Sequence, residues 1–188
     1  MKKIALLAVL FSGLAFGQTK KVVSSDVHWW GYKLAKTAAS SHDGTINLKN
    51  GNIVLKNNKV VGGTFVLDMT TISSTDLQGD MKSKLDGHLK NGDFFEVEKF
   101  PTAVYKITSV KPGTKAGFNA TVHGNLTVKG KTAAVSFPAN ITVGKAGVSL
   151  VSDKFSFDRQ VFGVAYKSSM QDIVIKDDVD MTVKVVAK

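Results

Sequence analysis

The 188-residue chain contains no cysteine. Disulfides and thiolate metal centres are therefore excluded, as is the acylated cysteine that tethers a bacterial lipoprotein. Proline is scarce, with three in all, and no low-complexity tract or break in composition marks a linker, so one domain is expected. Arginine is scarcer still: Arg159 stands alone among 25 basic side chains, the rest being lysine. Nucleic-acid surfaces concentrate arginine beside exposed aromatics, and that pattern is absent here. The formal net charge of +10 thus reads as a solvated lysine surface, the alternative being a weak pull toward anionic lipid headgroups.

Long apolar runs are missing except at the start. Met1-Lys2-Lys3 is basic, Ile4 to Leu14 is apolar, and Ala15-Phe16-Gly17 is a small-x-small cleavage site. That is the pattern of a secretory signal peptide, too short to remain as a membrane span. The expected boundaries are a signal peptide over 1–17 and one domain over 18–188, in the periplasm or outside the cell. Without Lys2 and Lys3 the +10 falls to +8.

Catalytic signatures are missing too. There is no GxSxG elbow, no HExxH and no glycine-rich phosphate loop. His28, His42, His88 and His123 have no metal-ligand spacing, with His28 on an apolar-parity face, His123 outward and His88 beside a helical apolar stripe. The adjacent carboxylates Asp177 and Asp178 read as a turn before the last strand. No enzyme activity, metal or cofactor is expected.

What the chain does have is alternation. From Phe118 to Arg159 three segments alternate apolar and polar residues: Phe118, Ala120, Val122, Leu126 and Val128; then Ala133, Val135, Phe137, Ala139, Ile141 and Val143; then Val151, Phe155, Phe157 and Arg159. A period of two over this length means strands with one face buried and one face wet. Earlier, Val22 to Thr37 reads as a strand with His28, Trp30, Tyr32 and Leu34 inward and Trp29 outward, under a loop or at a contact surface. Ser40 to Gly44 reads as a turn. Thr45 to Lys49 and Asn52 to Lys56 read as short strands around an Asn50-Gly51 hairpin, with a further turn at Asn57-Asn58. Val61, Phe65, Leu67 and Met69 share a face, and Gly62-Gly63 suggests a bulge. Leu77, Met81, Leu85 and Leu89, spaced by four, predict one amphipathic helix, capped by Thr75 or Asp76 and ended by Asn91-Gly92. Val179, Met181, Val183 and Val185 predict the closing strand. About eight antiparallel strands and one helix exclude a layered α/β fold. They favour an all-β antiparallel barrel, closed at one end by the helix, over a two-sheet sandwich.

Five blocks then resemble a known family. GGTFVLDMTTI (62–72), GHLKNGDFFEVEKFPTAVYKITSV (87–110), HGNLTVKGKT (123–132), FSFDRQVFGV (155–164) and DDVDMTVKV (177–185) are similar, in order, to the YceI-like lipid- or polyisoprenoid-binding proteins. The resemblance implies an exported, lipocalin-like barrel whose apolar interior holds an isoprenoid or other long-chain lipid, and no shared catalytic residues. On that reading Trp30, Tyr32, Phe65, Leu67, Phe118, Phe137, Phe155 and Phe157 line the cavity. Phe94, Phe95 and Phe100 plug its mouth, joined by Phe162. The alternative is an interaction module with a solid core, recognised by an exposed Trp29. Monomer and homodimer are both open. Arg159, having inward parity, needs an anion: either a carboxylate from another strand or the polar head of a ligand.

Overall fold

The computed structural model describes residues 17–35, 39–168 and 172–188. The expected leader, apart from Gly17, and the expected strand end at Thr37 lie outside the described residues. Ten strands form one antiparallel sheet: β1 Gln18–Ala35, β2 Ala39–Lys56, β3 Lys59–Ser74, β4 Thr102–Pro112, β5 Ala120–Val128, β6 Lys131–Gly144, β7 Gly147–Ser152, β8 Phe155–Asp158, β9 Ile173–Ile175 and β10 Asp178–Ala187. Neighbours pair in sequence from β1 to β7, β7 pairs with β10, and β10 returns to β1. Eight strands therefore close the barrel. Of the two short extra strands, β8 continues the β7 stave along the first half of β10, and β9 caps the far end of β1.

The β7 to β8 handover explains one error in the parity reading. Val148, Leu150 and Ser152 are buried, and Val151 faces out at 39% exposure. The chain breaks at Asp153-Lys154 before Phe155 and Phe157 resume in β8. The expected third strand is thus two strands of opposite parity. The Ser152 hydroxyl accepts the Val183 amide at 2.8 Å and fills the gap in the ladder.

Two other expectations are corrected. Asn50-Gly51 is no hairpin: β2 runs through it, with irregular pairing to β3 around Leu48 and Asn50. A side chain at Gly51 would press on Phe65 and Leu48, so this glycine serves packing rather than a turn. The hairpin lies at Asn57-Asn58, where φ is +51 and +57, the pair of positive values that a type I′ turn requires. Ser40 to Gly44, expected as a turn, belongs to β2. The suspected bulge near Gly62-Gly63 is present as a register shift beside Val60, which leaves Val60 buried and Val61 exposed.

The helix α1, Gly79–Lys90, starts later than its apolar spacing suggested. Gln78 is its N-cap, without a side-chain bond. Asp76 instead accepts from His42 and from the Asp43 amide, while Thr75 donates to Asp43. Met81 is 62% exposed and Leu89 is the buried residue of the expected stripe. What docks α1 on the barrel is largely polar. The Asp86 carboxylate accepts from the Ser74 amide (2.7 Å), the Ser73 hydroxyl (2.8 Å) and Lys82 (2.6 Å). Burial alone would raise its pKa, but those three donors outweigh it and hold the carboxyl at about 2.

The solid core sits away from the helix. Ile53, Val122, Ala139, Val148, Leu150, Val185 and Ala187 are fully buried there. Nearer the middle, Tyr105 donates to the Val135 carbonyl at 2.9 Å, and burial pushes its phenol up. Its ring lies where a Cβ at Gly124 would stand, so only glycine lets the tyrosine cross the barrel there.

Candidate lipid-binding cavity

At the helix end the barrel is not filled. A cavity of about 280 Å3 is bounded by β1 (Trp29, Gly31, Tyr32, Lys33), β3 (Leu67, Met69, Ile72), α1 with its exit (Leu85, His88, Leu89, Phe94, Phe95), β8 (Phe157) and residues of the segment from Arg159 to Ser168. A second void of about 50 Å3 lies deeper, among Phe65, Tyr105, Phe137, Leu150 and Phe155. Leu67, Leu126 and Met181 line both. They form a waist between two compartments on the barrel axis.

The walls are apolar because alternate residues of each strand face inward. Val179, Met181, Val183 and Val185 do so along β10, and Phe65, Leu67 and Met69 along β3. The mouth is different. Tyr32, Lys33, His42, His88, Arg159, Tyr166 and Lys176 contribute to the lining, and among the described residues no Asp or Glu does. His88 meets Phe94 and Tyr166 edge-on at 5.0 and 4.6 Å, and its Nδ1 lies 3.3 Å from Asp93. His42 pairs with Asp76 at 2.8 Å.

The structure distributes the expected site residues unevenly. Tyr32, Leu67, Phe94, Phe95, Phe157, Arg159 and Phe162 line the large cavity, and Phe65, Leu67, Phe137 and Phe155 the deep one. Three lie elsewhere. Phe118 precedes β5 in the loop at the opposite end, with Lys115 over its ring at 5.8 Å. Phe100 sits outside the lining beside the Gly130 turn, under Lys99. Trp30 is on the outer face, 4.3 Å from the His28 ring and 4.0 Å below the Lys154 ammonium.

The parity of β1 is therefore the reverse of the expected one. Val27, Trp29, Gly31 and Lys33 point inward, and Trp29 is 6% exposed. No exposed Trp29 surface exists. His28 faces out and pairs with Asp43 at 2.8 Å. Tyr32, at the rim, donates to Asp180 at 2.6 Å and accepts from Lys154 at 3.1 Å. Burial and the Asp180 bond push its phenol up.

Arg159 is 4% exposed and opens a 3-10 helix, Arg159–Phe162. Its guanidinium donates to Asp177 Oδ1 (3.0 Å) and to the carbonyls of Lys176 (3.0 Å), Tyr166 (3.1 Å), Ile175 (3.4 Å) and Val164. A carboxylate and four carbonyls satisfy the buried cation. The arginine ties the loop after β8 to the segment around β9, and so shapes one wall of the mouth.

The residues that sequence reasoning missed are chiefly Trp29, Lys33, His88, Leu89, Val164 and Tyr166. The helix stripe pointed to Leu89. His88 lies on the same helix beside that stripe, Val164 and Tyr166 lie on an irregular segment, and Trp29 and Lys33 lie on a face that looks too polar to be inside.

The matched part of a UPF0312 protein of Pseudomonas aeruginosa is 43% identical over 56 residues, which is 30% of this chain and 28% of that protein. The chain thus aligns with less than a third of that relative's length. Among solved structures, Burkholderia cenocepacia BcnA superposes with a TM-score of 0.65 at 19% identity, over 87% of this chain and 96% of that one. A Saccharophagus degradans domain described as polyisoprenoid-binding gives a TM-score of 0.58 at 10% identity, over 90% and 97%. At these identities the superpositions speak to the fold, and they agree with the closed barrel. The model of the YceI-like domain matches residues 19–187, which takes in every strand, and the chain belongs to the YceI-like family.

Proposed function

We propose that this is an exported, non-enzymatic binding or carrier protein that holds an isoprenoid or similar long-chain amphiphile inside its barrel. The observation that carries the reading is the apolar two-compartment cavity open at the helix end. From Val179 to Val185 the inward face of β10 covers roughly 20 Å of strand at about 3.3 Å per residue. Tilted by about 40°, that is roughly 15 Å along the axis, half the ~30 Å hydrocarbon core of a bilayer. A chain that fills one leaflet matches the depth. The volume is at the lower edge of ligand pockets, roughly 300–1,000 Å3, so entry past the waist requires Leu67, Leu126 and Met181 to change rotamer. Methionine is suited to that.

Each five-carbon isoprene unit buried contributes at most roughly 3–4 kcal/mol at about 0.8 per carbon, against the several kcal/mol that association costs. The tail sets affinity. The Saccharophagus degradans neighbour is described as a polyisoprenoid-binding domain, which supports this choice of ligand class. The test is organic extraction and mass spectrometry of protein purified from its host without detergent. One long-chain lipid per protein is the expected result. No lipid, together with no uptake of a long-chain isoprenoid by the extracted protein, would overturn the reading.

A further inference from the structure

One position on the cavity wall does not suit a container for hydrocarbon alone. The inward face of β1 runs Val27, Trp29, Gly31 and then Lys33, whose cross-strand partner Ile175 lines the same cavity. Cross-strand partners share a face, so the stem of Lys33 lies over the opening. Its charge is unmatched: Lys33 has no ion-pair partner among the described residues, and no carboxylate there lines the cavity. Arg159 is held by Asp177, His42 by Asp76, and His88 lies beside Asp93. Lys176, next along from Ile175, holds its ammonium 5.7 Å from the Tyr32 ring and adds to the positive field.

Below Lys33 there is room. A Cβ built on Gly31 would meet nothing nearer than Trp29 Cζ3 at 4.0 Å. A chain can therefore descend past Gly31 while its head stays level with the ammonium. We propose that Lys33 is the head-group anchor of this site, and that the preferred ligand is an amphiphile with an anionic head, a phosphate or a carboxylate. The proposal rests on the chain-binding reading above. A charge-assisted bond at a partly desolvated mouth discriminates against a neutral head of the same size, whereas a lysine that merely snorkels to water would not.

The test compares three probes with one tail: geranylgeranyl monophosphate, geranylgeranoic acid and geranylgeraniol, each titrated into extracted full-length protein and followed by tryptophan fluorescence. The wild-type chain should bind at least one anionic probe about tenfold or more tightly than the alcohol, with the margin shrinking as salt is raised. The better of the two anions assigns the head. Lys33→Met should remove the margin between anion and alcohol, and Lys33→Arg should restore it. Equal binding of all three by the wild-type chain, or a margin that survives Lys33→Met, would overturn the anchor but not the cavity. Failure of all three to bind, the alcohol included, would remove the chain-binding reading itself.

Discussion

Filling the gap at Gly31 separates a lipid cavity from a packing imperfection. Gly31 lies in extended backbone of β1, on the inward face, with open space where a side chain would go. In Gly31→Leu the new side chain enters the cavity against Trp29. Removing glycine from a strand gains about 0.5–1 kcal/mol, and burying a leucine gains about 1.5–3 kcal/mol. Because the site is near the mouth, a net gain of about 2 kcal/mol is expected, which at roughly 2–4 °C per kcal/mol in a domain of this size raises Tm by about 4–8 °C. The same four carbons exclude about as many carbons of a bound chain, a loss of roughly 3 kcal/mol at about 0.8 each, or on the order of 100-fold in Kd. Extracted wild-type and variant proteins would be compared by calorimetry and by titration with geranylgeraniol, which lacks a charged head. The expected outcome is a more stable barrel that binds less. A variant that is less stable, yet binds the alcohol as the wild type does, would refute the assignment of this space to the ligand.

Two further outcomes follow from the polar joints that frame the cavity. Arg159→Met strips the 159–177 corner of five hydrogen bonds and leaves the Asp177 carboxylate and four carbonyls to solvent or to one another. It should cost about 3–5 kcal/mol in chemical denaturation, speed amide exchange in 159–168, and weaken charged and neutral chains alike; a loss confined to charged ligands would instead make Arg159 a head-group residue. Asp86, held at about 2, binds a proton more readily in the unfolded chain, so its contribution is complete above about pH 4 and is lost as pH falls toward 2. Allowing for solvent at its exposed edge, that contribution is about 1–2 kcal/mol, and Asp86→Asn should remove it at pH 7 and flatten the acid limb of a denaturation series; an unchanged limb would show that the helix is docked by its apolar contacts.

Much of the barrel is legible from residues that repeat every second position against a packed core. β5 and β6 face inward where alternation places them, and β10 does too. The signal weakens where strand geometry is irregular. Asn50-Gly51 has the composition of a hairpin turn, but Gly51 is needed for the close approach of Phe65 and Leu48, and tertiary packing overrides the local turn preference. Val151 continues an apolar spacing across the break at Asp153-Lys154, and a spacing rule cannot see that the chain changes strands there. Arg159 was legible as a cation that must find an anion; its partners lie 5 to 18 residues downstream on segments with no periodicity, so which anion was not.

The reversal of β1 has a different cause. Alternation offers two faces, His28-Trp30-Tyr32-Leu34 and Val27-Trp29-Gly31-Lys33, and the rule that the more apolar face is inside chooses the first. That rule assumes that the inside is filled by the protein's own side chains. Where the inside is a void, the inward face needs a small residue to leave room, and at the mouth it tolerates a long charged one whose head stays at the opening. Gly31 and Lys33 are those residues, and they make the face look external. The first face, meanwhile, finds its partners outside: Trp30 lies under Lys154, Tyr32 is bonded to Asp180, and His28 is paired with Asp43. An aromatic strand face held by polar neighbours, opposite a face carrying glycine and lysine, is the pattern a binding barrel writes where its cavity opens.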